Sequence, residues 1–371
     1  MPPAQYVIVG AGFAGGATAY HLARSGAKGI VVLEQERIAG VHSSGRNASV
    51  IRQVISDPSI GSLAQEGAAF VRNLPSDWPL PVDFAQNGSL LLASGKEWES
   101  LTRDAERARQ IGVEVESWSR QRAEQYVKIL KGADFDGAVW CPTDGVVDIH
   151  ALLSGYLKSA TSMGTEVRYG SSVRAIDVED NRVTGVVIGN ERVKAEVIIN
   201  AAGAWAGLIG EMAGSVKVPL LPSRRHLFLT PPLPWVDRRW PFVWHVSPQV
   251  YFRPESGGLL LCPCDQAEMA PGIPPTDDSM VEILAEKVSR HLPEITSIPI
   301  KRSWAGLRTL CADGRFVIGW DPKVQGFFWI AGLGGHGVTT SSSVGALAAK
   351  LILNRDEKTP TDFSPERFVE N

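Results

Sequence analysis

The stretch that decides the fold is Tyr6-Val7-Ile8-Val9-Gly10-Ala11-Gly12-Phe13-Ala14-Gly15, followed later by Ile30-Val31-Val32-Leu33-Glu34. An apolar run breaks at glycines, an alanine-rich segment continues to about Arg24, and a second apolar run ends at an acid. Strand, G-x-G-x-x-G turn, helix, strand and acid in this order predict the βαβ unit that binds dinucleotides.

Each part of this unit has a physical role in holding a dinucleotide. Gly10 allows the tight turn, Gly12 lets the backbone approach a pyrophosphate, and Gly15 lets the helix pack close to the strand. The helix N-terminus presents unpaired N–H groups and a partial positive charge to the phosphates. Glu34 follows the glycines by about 20 residues and is placed to accept the ribose hydroxyls of an adenosine. The residues assigned to the dinucleotide here are Gly10, Gly12, Phe13, Ala14, Gly15, Glu34 and Gln35.

Composition and charge narrow the class of protein. A chain of 371 residues suits two domains, or one large α/β domain with an insertion. Its hydrophobic share of 44% and charged share of 21% are those of an ordinary soluble globular protein. The net charge of -3 gives no indication of a nucleic-acid partner or an anionic membrane. The first strand begins too early to leave room for a signal peptide, and no apolar run approaches ~18 residues, so we expect a cytoplasmic protein.

The cysteines do not predict a metal centre. Cys262 and Cys264 are one residue apart, too close for an unstrained disulfide. Neither Cys141 nor Cys311 stands at zinc-ligand spacing from another cysteine or a histidine. We therefore expect four reduced thiols, mostly in the core, and no metal ion.

A polar loop follows the ribose-binding acid. Residues 39–49 read Ala-Gly-Val-His-Ser-Ser-Gly-Arg-Asn-Ala-Ser, with hydroxyl, amide and cationic groups closely spaced. Such a segment is either a surface loop or a wrap for a second phosphate and a ring system. Its position directly after Glu34 favours the second interpretation. The loop residues assigned to the cofactor are His42, Ser43, Ser44, Arg46, Asn47 and Ala48.

A second glycine-rich turn lies near the C-terminus. The apolar run that ends at Ala331 breaks at Gly332-Leu333-Gly334-Gly335-His336-Gly337, and a small-residue helix is predicted over Ser341–Leu353. Glycines so close to a helix N-terminus form a second anion site. An ordinary strand-to-helix turn does not account for four glycines in six residues.

These motifs resemble the glycine/D-amino-acid oxidase and dehydrogenase family of FAD enzymes. The likeness rests on the nucleotide fingerprint, the loop of type HSSGR, the "NAAGAW" turn at residues 200–205 and the pattern W-A-G-x-R before the second glycine turn. The likeness covers nearly the whole chain. Within the family, the chain most resembles soluble D-amino-acid dehydrogenases that carry an HSTGR-type loop. It implies an α/β and α+β fold, in which a Rossmann-type, glutathione-reductase-like FAD-binding domain carries a discontinuous antiparallel-sheet substrate domain.

The resemblance and the changes in composition together predict the domain ranges. A proline-rich passage at Leu74–Pro81 suggests a first crossing between domains, and prolines and tryptophans become dense from Val216. We expect the FAD-binding domain over 1–81, 140–215 and 301–371, and the substrate-binding domain over 82–139 and 216–300.

The resemblance also assigns residues to the flavin. It places Val173 at the adenine and Gly203 near the diphosphate and ribitol, and it directs the C-terminal helix at the flavin pyrimidine. Some relatives attach FAD through a histidine near the position of His42 or a cysteine near that of Cys311, but the HS-x-G-R loop favours non-covalent FAD. The further residues assigned to the cofactor are Val173, Ala202, Gly203, Trp205, Gly306, Gly332, Gly334, Gly335, His336, Gly337, Val338 and Thr339.

A carboxylate of an amino-acid substrate calls for a planar, bidentate cation, which favours arginine over lysine. The resemblance puts Arg308 at that position and Tyr251 beside it as a hydroxyl donor, with Arg225 a weaker candidate at the pocket rim. His336 is expected either as a general base or as a hydrogen-bonding group for the substrate. The tryptophans Trp235, Trp240 and Trp244 are either core residues or a wall over the pocket.

We therefore expect oxidative deamination of a (D-)amino acid to an imino acid and then a 2-oxo acid, by hydride transfer to flavin N5. The alternatives are a sarcosine or N-methyl-amino-acid oxidase, a 2-hydroxy-acid dehydrogenase, and a non-catalytic flavin-binding subunit of a larger complex. An NAD-only dehydrogenase is disfavoured by the second glycine turn. No carboxylate stands in Gln86–Ser89, so a cationic substrate side chain would have no obvious partner there. The tryptophan-rich substrate domain favours a small or apolar amino acid. The electron acceptor stays open, as does the choice between a monomer and a homo-oligomer.

Overall fold

The computed structural model describes residues 4–295 and 298–369, so the extreme ends of the predicted domain ranges lie outside the described residues. Within this part the chain forms twenty strands and eight α-helices. The strands are β1 (Ala4–Val9), β2 (Ile30–Leu33), β3 (Val50–Ile51), β4 (Phe84–Ala85), β5 (Ser89–Ala93), β6 (Glu116–Ser119), β7 (Gly137–Cys141), β8 (Gly145–Val147), β9 (Glu166–Arg168), β10 (Val173–Glu179), β11 (Arg182–Ile188), β12 (Glu191–Asn200), β13 (Leu220–Leu229), β14 (Phe242–His245), β15 (Val250–Glu255), β16 (Gly258–Cys262), β17 (Ala267–Glu268), β18 (Arg302–Cys311), β19 (Val317–Trp320) and β20 (Phe327–Ala331). The helices are α1 (Phe13–Arg24), α2 (Pro58–Arg72), α3 (Gly95–Gln110), α4 (Arg120–Tyr126), α5 (Ile149–Ser162), α6 (Ala206–Ala213), α7 (Ser279–His291) and α8 (Ser341–Leu353).

The first sheet is built around the predicted βαβ unit. Strands β20, β12, β1, β2 and β9 run parallel in this order, and β1 leads through α1 to its neighbour β2. Strands β10, β11 and β19 extend the sheet with antiparallel pairs. Helix α1 packs against α5 and α8. The predicted Rossmann-type unit is confirmed.

Two glycines of the fingerprint are required by close backbone contacts. Gly10 has a φ of 104°, and a Cβ there would stand 2.6 Å from the carbonyl oxygen of Ala201. A Cβ on Gly15 would stand 1.9 Å from the carbonyl oxygen of Gly10. Real Cβ atoms do not approach backbone oxygens this closely. Gly10 therefore lets the turn lie against the backbone that follows β12, and Gly15 lets α1 lie against the end of β1.

The second sheet has the order β17-β13-β16-β15-β14-β5-β7-β6, with β18 also paired to β13. Its pairs are antiparallel except for β14 and β5, which run parallel. Strand β18 pairs with β13 along its whole length, although the predicted ranges assign residues 301–371 to the FAD-binding domain. The division into two domains remains a prediction. A third, small sheet has the order β3-β8-β4.

Each large sheet has buried side chains on both faces. Alternate residues of β1 enter different cores, Ile8 on one face and Val7 on the other, as the period of a strand requires. In the second sheet, Leu90 and Leu91 of β5 likewise pack into two different cores on opposite faces. Asp148 is the N-cap of α5, because its carboxylate accepts hydrogen bonds from two backbone N–H groups at the start of the helix.

Candidate active site

One cavity of about 440 Å³ lies between the two large sheets. Its floor includes Val9, Leu33 and Ala331, the last residues of three parallel strands. Its roof is a face of the second sheet, which contributes Tyr251 and Arg308. Ligands of open α/β sheets bind at the carboxyl ends of the strands, where this cavity lies.

Every residue predicted for the site lines this cavity, except Gly15, which lies beneath Gly10 and shapes the turn. The assignment of each residue to cofactor or substrate remains a prediction. The lining residues among those predicted are Gly10, Gly12, Phe13, Ala14, Glu34, Gln35, His42, Ser43, Ser44, Arg46, Asn47, Ala48, Val173, Ala202, Gly203, Trp205, Arg225, Tyr251, Gly306, Arg308, Gly332, Gly334, Gly335, His336, Gly337, Val338 and Thr339.

Glu34 is held at one end of the cavity by the backbone. Its Oε2 accepts the N–H of Ala11 at 2.9 Å, and its Oε1 accepts the N–H of Glu36 at 3.0 Å. The carboxylate is thereby fixed beside the first glycine turn while part of it still lines the cavity. This is the arrangement that a ribose-binding acid needs.

The loop of type HSSGR joins the two sheets. Ser44 Oγ accepts the N–H of Phe13 at 3.0 Å, and Ser43 Oγ donates to the carbonyl of Leu307 at 2.6 Å. Arg46 donates from Nη1 to the carbonyl of Ala305 at 3.2 Å. These side chains hold the loop between the N-terminus of α1 and strand β18, so several predicted cofactor residues also act as structural clamps.

His42 is engaged with protein groups as well. Its Nε2 lies 2.9 Å from Glu36 Oε1 and 3.3 Å from Gln35 Nε2. Its ring packs on Trp205, with 4.5 Å between the ring centroids. The imidazole is therefore oriented by a carboxylate and an indole.

The opposite end of the cavity is rich in cations. Arg225 on β13 and Arg308 on β18 are diagonal neighbours on one face of the second sheet, because Arg225 is opposite Gly306 and Arg308 is opposite Ser223. The Arg308 guanidinium lies against the second glycine turn, where a Cβ on Gly335 would stand 3.0 Å from Nη1. The shape of that turn thus leaves room for the arginine.

Four buried polar groups around this end have no hydrogen-bond partner within the described residues. They are Arg225 Nε, Trp244 Nε1, Tyr251 OH and Thr309 Oγ1. Buried polar groups in native proteins are almost always paired. Three of them, Arg225 Nε, Trp244 Nε1 and Tyr251 OH, lie on the sheet face that lines the cavity, which indicates a polar ligand there.

Burial and positive charge set the protonation of two groups. Burial raises the pKa of Tyr251 well above its usual value, so its hydroxyl stays protonated and can donate a hydrogen bond. Burial, and then the nearby Arg52 and Arg308, lower the pKa of His336 to about 3. His336 is therefore a neutral imidazole at neutral pH and a weak proton acceptor.

The paired thiols lie beside Arg225. Burial opposes ionisation of Cys262, but its hydrogen bond with Cys264 and the charges of Arg225 and Arg308 outweigh burial and lower its pKa. The hydrogen bond with Cys262, together with burial, raises the pKa of Cys264, which lines the cavity. All four cysteines carry free thiols.

Arg52 is the main lining residue that sequence reasoning missed. It directly follows the two-residue strand β3, where no motif marks it. Its guanidinium carbon lies 4.8 Å from the ring centroid of Trp244, which also lines the cavity. Of the three tryptophans left open above, Trp240 is a core residue and Trp235 is exposed, while Trp244 forms a wall of the cavity.

The cavity fits an extended dinucleotide. Two glycines that line it have no room for a side chain, since a Cβ on Gly12 would meet Ser44 Oγ at 2.9 Å and a Cβ on Gly306 would meet the carbonyl oxygen of Arg46 at 2.7 Å. Helices α1 and α8 begin beside it. A family model described as "FAD dependent oxidoreductase" (DAO) matches residues 5–351.

The chain belongs to the DAO family of FAD-dependent oxidoreductases. Its cofactor is FAD, and the fold and the family expected from the motifs are both confirmed. Glu34 and the first glycine turn would hold the adenosine and diphosphate, and the second glycine turn would face the flavin.

Similar proteins cover nearly all of this chain. The human mitochondrial sarcosine dehydrogenase is 26% identical over 382 residues, which cover 98% of this chain but only 41% of that protein. The bovine FAD-dependent oxidoreductase domain-containing protein 1 is 28% identical over 420 residues, covering 99% of this chain and 85% of that protein.

Solved structures share the fold. The L-proline dehydrogenase from P. horikoshii superimposes with a TM-score of 0.89 at 24% identity, covering 99% of this chain and 98% of that chain. The glycine oxidase from Geobacillus kaustophilus gives a TM-score of 0.82 at 23% identity, covering 99% and 98%.

Across 4–295 and 298–369, no helix has the length and apolar character needed to cross a membrane. In the same part, no three His, Cys, Asp or Glu side chains are grouped so that they could hold a metal ion.

Proposed function

We propose that this protein catalyses the oxidative deamination of an α-amino acid, with a D-amino acid as the first candidate. One observation carries the proposal: Arg308 and the unpartnered hydroxyl of Tyr251 stand together at the end of the cavity beside the second glycine turn. A guanidinium and a protonated phenol are the donors that a substrate carboxylate needs.

The bound flavin supplies the acceptor for the hydride that leaves the substrate α-carbon. The protein binds and orients the substrate. Arg308 offers two parallel N–H groups to the carboxylate, and Tyr251 adds an O–H donor, which together fix the direction of the α-carbon. The imino acid that results leaves the site and reacts with water to give a 2-oxo acid and ammonia.

The substrate amine must be neutral when the hydride leaves. His336 contributes little as a base, since its pKa is lowered to about 3 by burial and by Arg52 and Arg308. The same arginines disfavour a positive charge on a bound amine, because like charges in a buried site repel each other. The site therefore selects the neutral amine by its electrostatic field and does not need a strong proton acceptor.

A secondary amine is the second candidate substrate. The human mitochondrial sarcosine dehydrogenase and the rat mitochondrial dimethylglycine dehydrogenase are curated relatives, and both are named for N-methylated glycines. A secondary amine carries the same carboxylate and would use Arg308 and Tyr251 in the same way. This chain spans about two fifths of the length of these relatives, so their complete activities do not transfer to it directly.

Steady-state turnover tests the proposal. The flavin-loaded protein is supplied with an artificial electron acceptor and with D- and L-amino acids, sarcosine or 2-hydroxy acids. Reduction of the acceptor is measured together with release of ammonia and of the 2-oxo acid. Amino-acid-dependent ammonia release supports the proposal. Turnover of 2-hydroxy acids alone would contradict it, and an isolated chain that turns over no substrate would favour a non-catalytic flavin subunit.

We also infer non-covalent FAD and a cytoplasmic location. His42 Nε2 is already engaged with Glu36 Oε1, which supports the absence of a flavin bond at this histidine. Acid precipitation of the purified protein should release all yellow colour into the supernatant. Colour retained in the pellet would show a covalent bond, and cell fractionation checks the location.

A further inference from the structure

We propose that the substrate carries a second acidic group, which binds to Arg52 and to the indole N–H of Trp244. The substrate class is then a dicarboxylic amino acid or an N-carboxyalkyl amino acid, in place of the small or apolar one expected from the sequence. This inference rests on the proposed function, which places the first carboxylate at Arg308 and Tyr251.

The charges that line the cavity are unbalanced. Arg52, Arg225 and Arg308 all stand at the substrate end. Of the described residues that line the cavity, the only carboxylate is Glu34, which the backbone holds at the adenosine end. Throughout residues 4–295 and 298–369, no carboxylate forms an ion pair with any of these three arginines. A substrate with one carboxylate would neutralise one of them.

Arg52 is held on the cavity wall by a neutral group of the protein. Its Nη1 donates to the carbonyl oxygen of Val54, a neutral acceptor. Burial lowers its pKa to about 10, a shift that Asp144 and Asp104 oppose and Arg308 increases. The oxygens of Asp144 accept hydrogen bonds from Gln53 Nε2 at 2.8 Å and Ser89 Oγ at 2.6 Å. Neither carboxylate lines the cavity, so on the cavity side an acidic ligand would be the direct partner of the guanidinium.

The wall beside Arg52 carries a second donor. Its guanidinium carbon lies 4.8 Å from the centroid of the Trp244 ring, and the buried Nε1 of this ring has no partner within the described residues. Trp244 is directly opposite Tyr251 in the pairing of β14 with β15. The donors for a second acid and the donors for the first therefore stand next to each other on one sheet face. An apolar substrate side chain would leave Arg52 and the indole N–H unpaired.

Arg225 has a different counter-ion. It lies beside the thiols Cys262 and Cys264, and although burial opposes its charge, the interaction with these thiols raises its pKa. Arg225 is also the diagonal neighbour of Arg308, at the position proposed for the first carboxylate. Arg52 instead lies over the Trp244 ring, which is why Arg52 is assigned to the second acid.

The wild-type flavoprotein gives the first test. Substrates are compared in pairs that differ only in the second acid: aspartate with asparagine and glutamate with glutamine, each as both enantiomers, and iminodiacetate with sarcosine. We expect kcat/KM for the acidic member of the productive pair to be about 100-fold higher, the factor typical of hydrogen bonds to a charged group. Equal or lower kcat/KM for every acidic member would overturn the inference and leave the proposed function intact.

Inert ligands give a test that needs no turnover. Dicarboxylates from malonate to adipate are titrated against monocarboxylates of matched length, and binding is followed by the perturbation of the flavin absorption spectrum. One dicarboxylate is expected to bind about 100-fold more tightly than its monocarboxylate partner. Tight binding of a dicarboxylate, in a protein that oxidises no amine, would overturn the proposed function but retain the Arg52 subsite. Equal binding of both series would overturn the subsite.

Variants assign the subsite to a residue. In Arg52→Gln the ratio of acidic to neutral ligand affinity should fall from about 100 to about 1, and Arg52→Lys should retain part of it. The control Arg103→Gln removes the same charge from an exposed position on α3 and should keep the ratio. If Arg225→Gln loses the preference for the acidic ligand while Arg52→Gln keeps it, the assignment to Arg52 is overturned. If Arg52→Gln does not retain flavin, the wild-type pairs and titrations still decide the inference.

Discussion

The two ends of the cavity differ in how the chain builds them. At the adenosine end, Gly10, Gly12 and Glu34 come from one continuous βαβ unit, and Glu34 accepts two backbone hydrogen bonds. At the substrate end, Arg52 and Arg308 lie more than two hundred residues apart in the sequence, and three buried polar groups there have no hydrogen-bond partner among the described residues. The protein's own hydrogen bonds hold Glu34 at the first end, whereas polar groups at the second end are left for a ligand.

This difference explains what each end can tolerate. Local backbone geometry governs the adenosine end, so a substitution there acts on folding and cofactor retention together. Side-chain charge governs the substrate end, so a substitution there changes catalysis while the fold persists. The predictions that follow separate these two behaviours.

The largest effect is expected from Arg308→Gln at the substrate end. Loss of the guanidinium removes the bidentate donor for the substrate carboxylate, and kcat/KM for an amino acid should fall about a thousandfold. Flavin content, measured from absorbance, should stay near that of the wild type. A similar loss in the exposed control Arg103→Gln, or loss of flavin in Arg308→Gln, would show that the arginine acts through the fold.

At the adenosine end, Gly15→Ala should destabilise the protein by about 3 kcal/mol, because the new Cβ would stand 1.9 Å from the carbonyl oxygen of Gly10. Chemical denaturation of the holoprotein measures this, and flavin retention should fall with it. The matched control is Gly207→Ala in α6, where an added Cβ meets no atom within 4 Å. If both variants behaved alike, the close packing of α1 on β1 would not be the cause.

The sequence predicts the fold of the βαβ unit better than it predicts the residues of the substrate end. The contacts of the βαβ unit are local, so the spacing of Gly10, Gly15 and Glu34 was sufficient to predict them. Arg52 was missed because a single arginine after a short strand has no periodicity or motif, and only the fold shows that it lines the cavity and lies over the Trp244 ring of the second sheet. The predicted pairing of Tyr251 with Arg308 came from family resemblance and not from any local pattern.

A smaller effect is expected from Tyr251→Phe. The hydroxyl has no partner in the described part of the protein, so its removal should leave the free energy of unfolding unchanged or slightly raised. It should lower kcat/KM about tenfold, since the substrate carboxylate loses one donor. Thermal denaturation checks the predicted stability, and steady-state kinetics check the predicted kcat/KM. A marked loss of stability would mean that the hydroxyl has a structural partner.

The smallest effect is expected from His336→Asn on the pH dependence of kcat/KM. A histidine whose pKa is lowered to about 3 stays neutral from pH 5 upward, so His336 should contribute no inflection there. The rise of kcat/KM with pH should instead follow the ionisation of the substrate amine. The inflection should therefore move when substrates of different amine pKa are used, and it should keep its position in His336→Asn. An inflection that disappears in this variant would identify His336 as the base.

The reductive half-reaction tests the central claim most directly. Amino acids, N-methyl amino acids and 2-hydroxy acids are mixed anaerobically with the flavoprotein, and bleaching of the flavin band at about 450 nm is followed in the wild type and in Arg308→Gln. We predict rapid bleaching by an amino acid or N-methyl amino acid in the wild type, and bleaching slowed by about a thousandfold at the same subsaturating concentration in the variant. Bleaching by 2-hydroxy acids alone, or equal rates in the two proteins, would contradict the account.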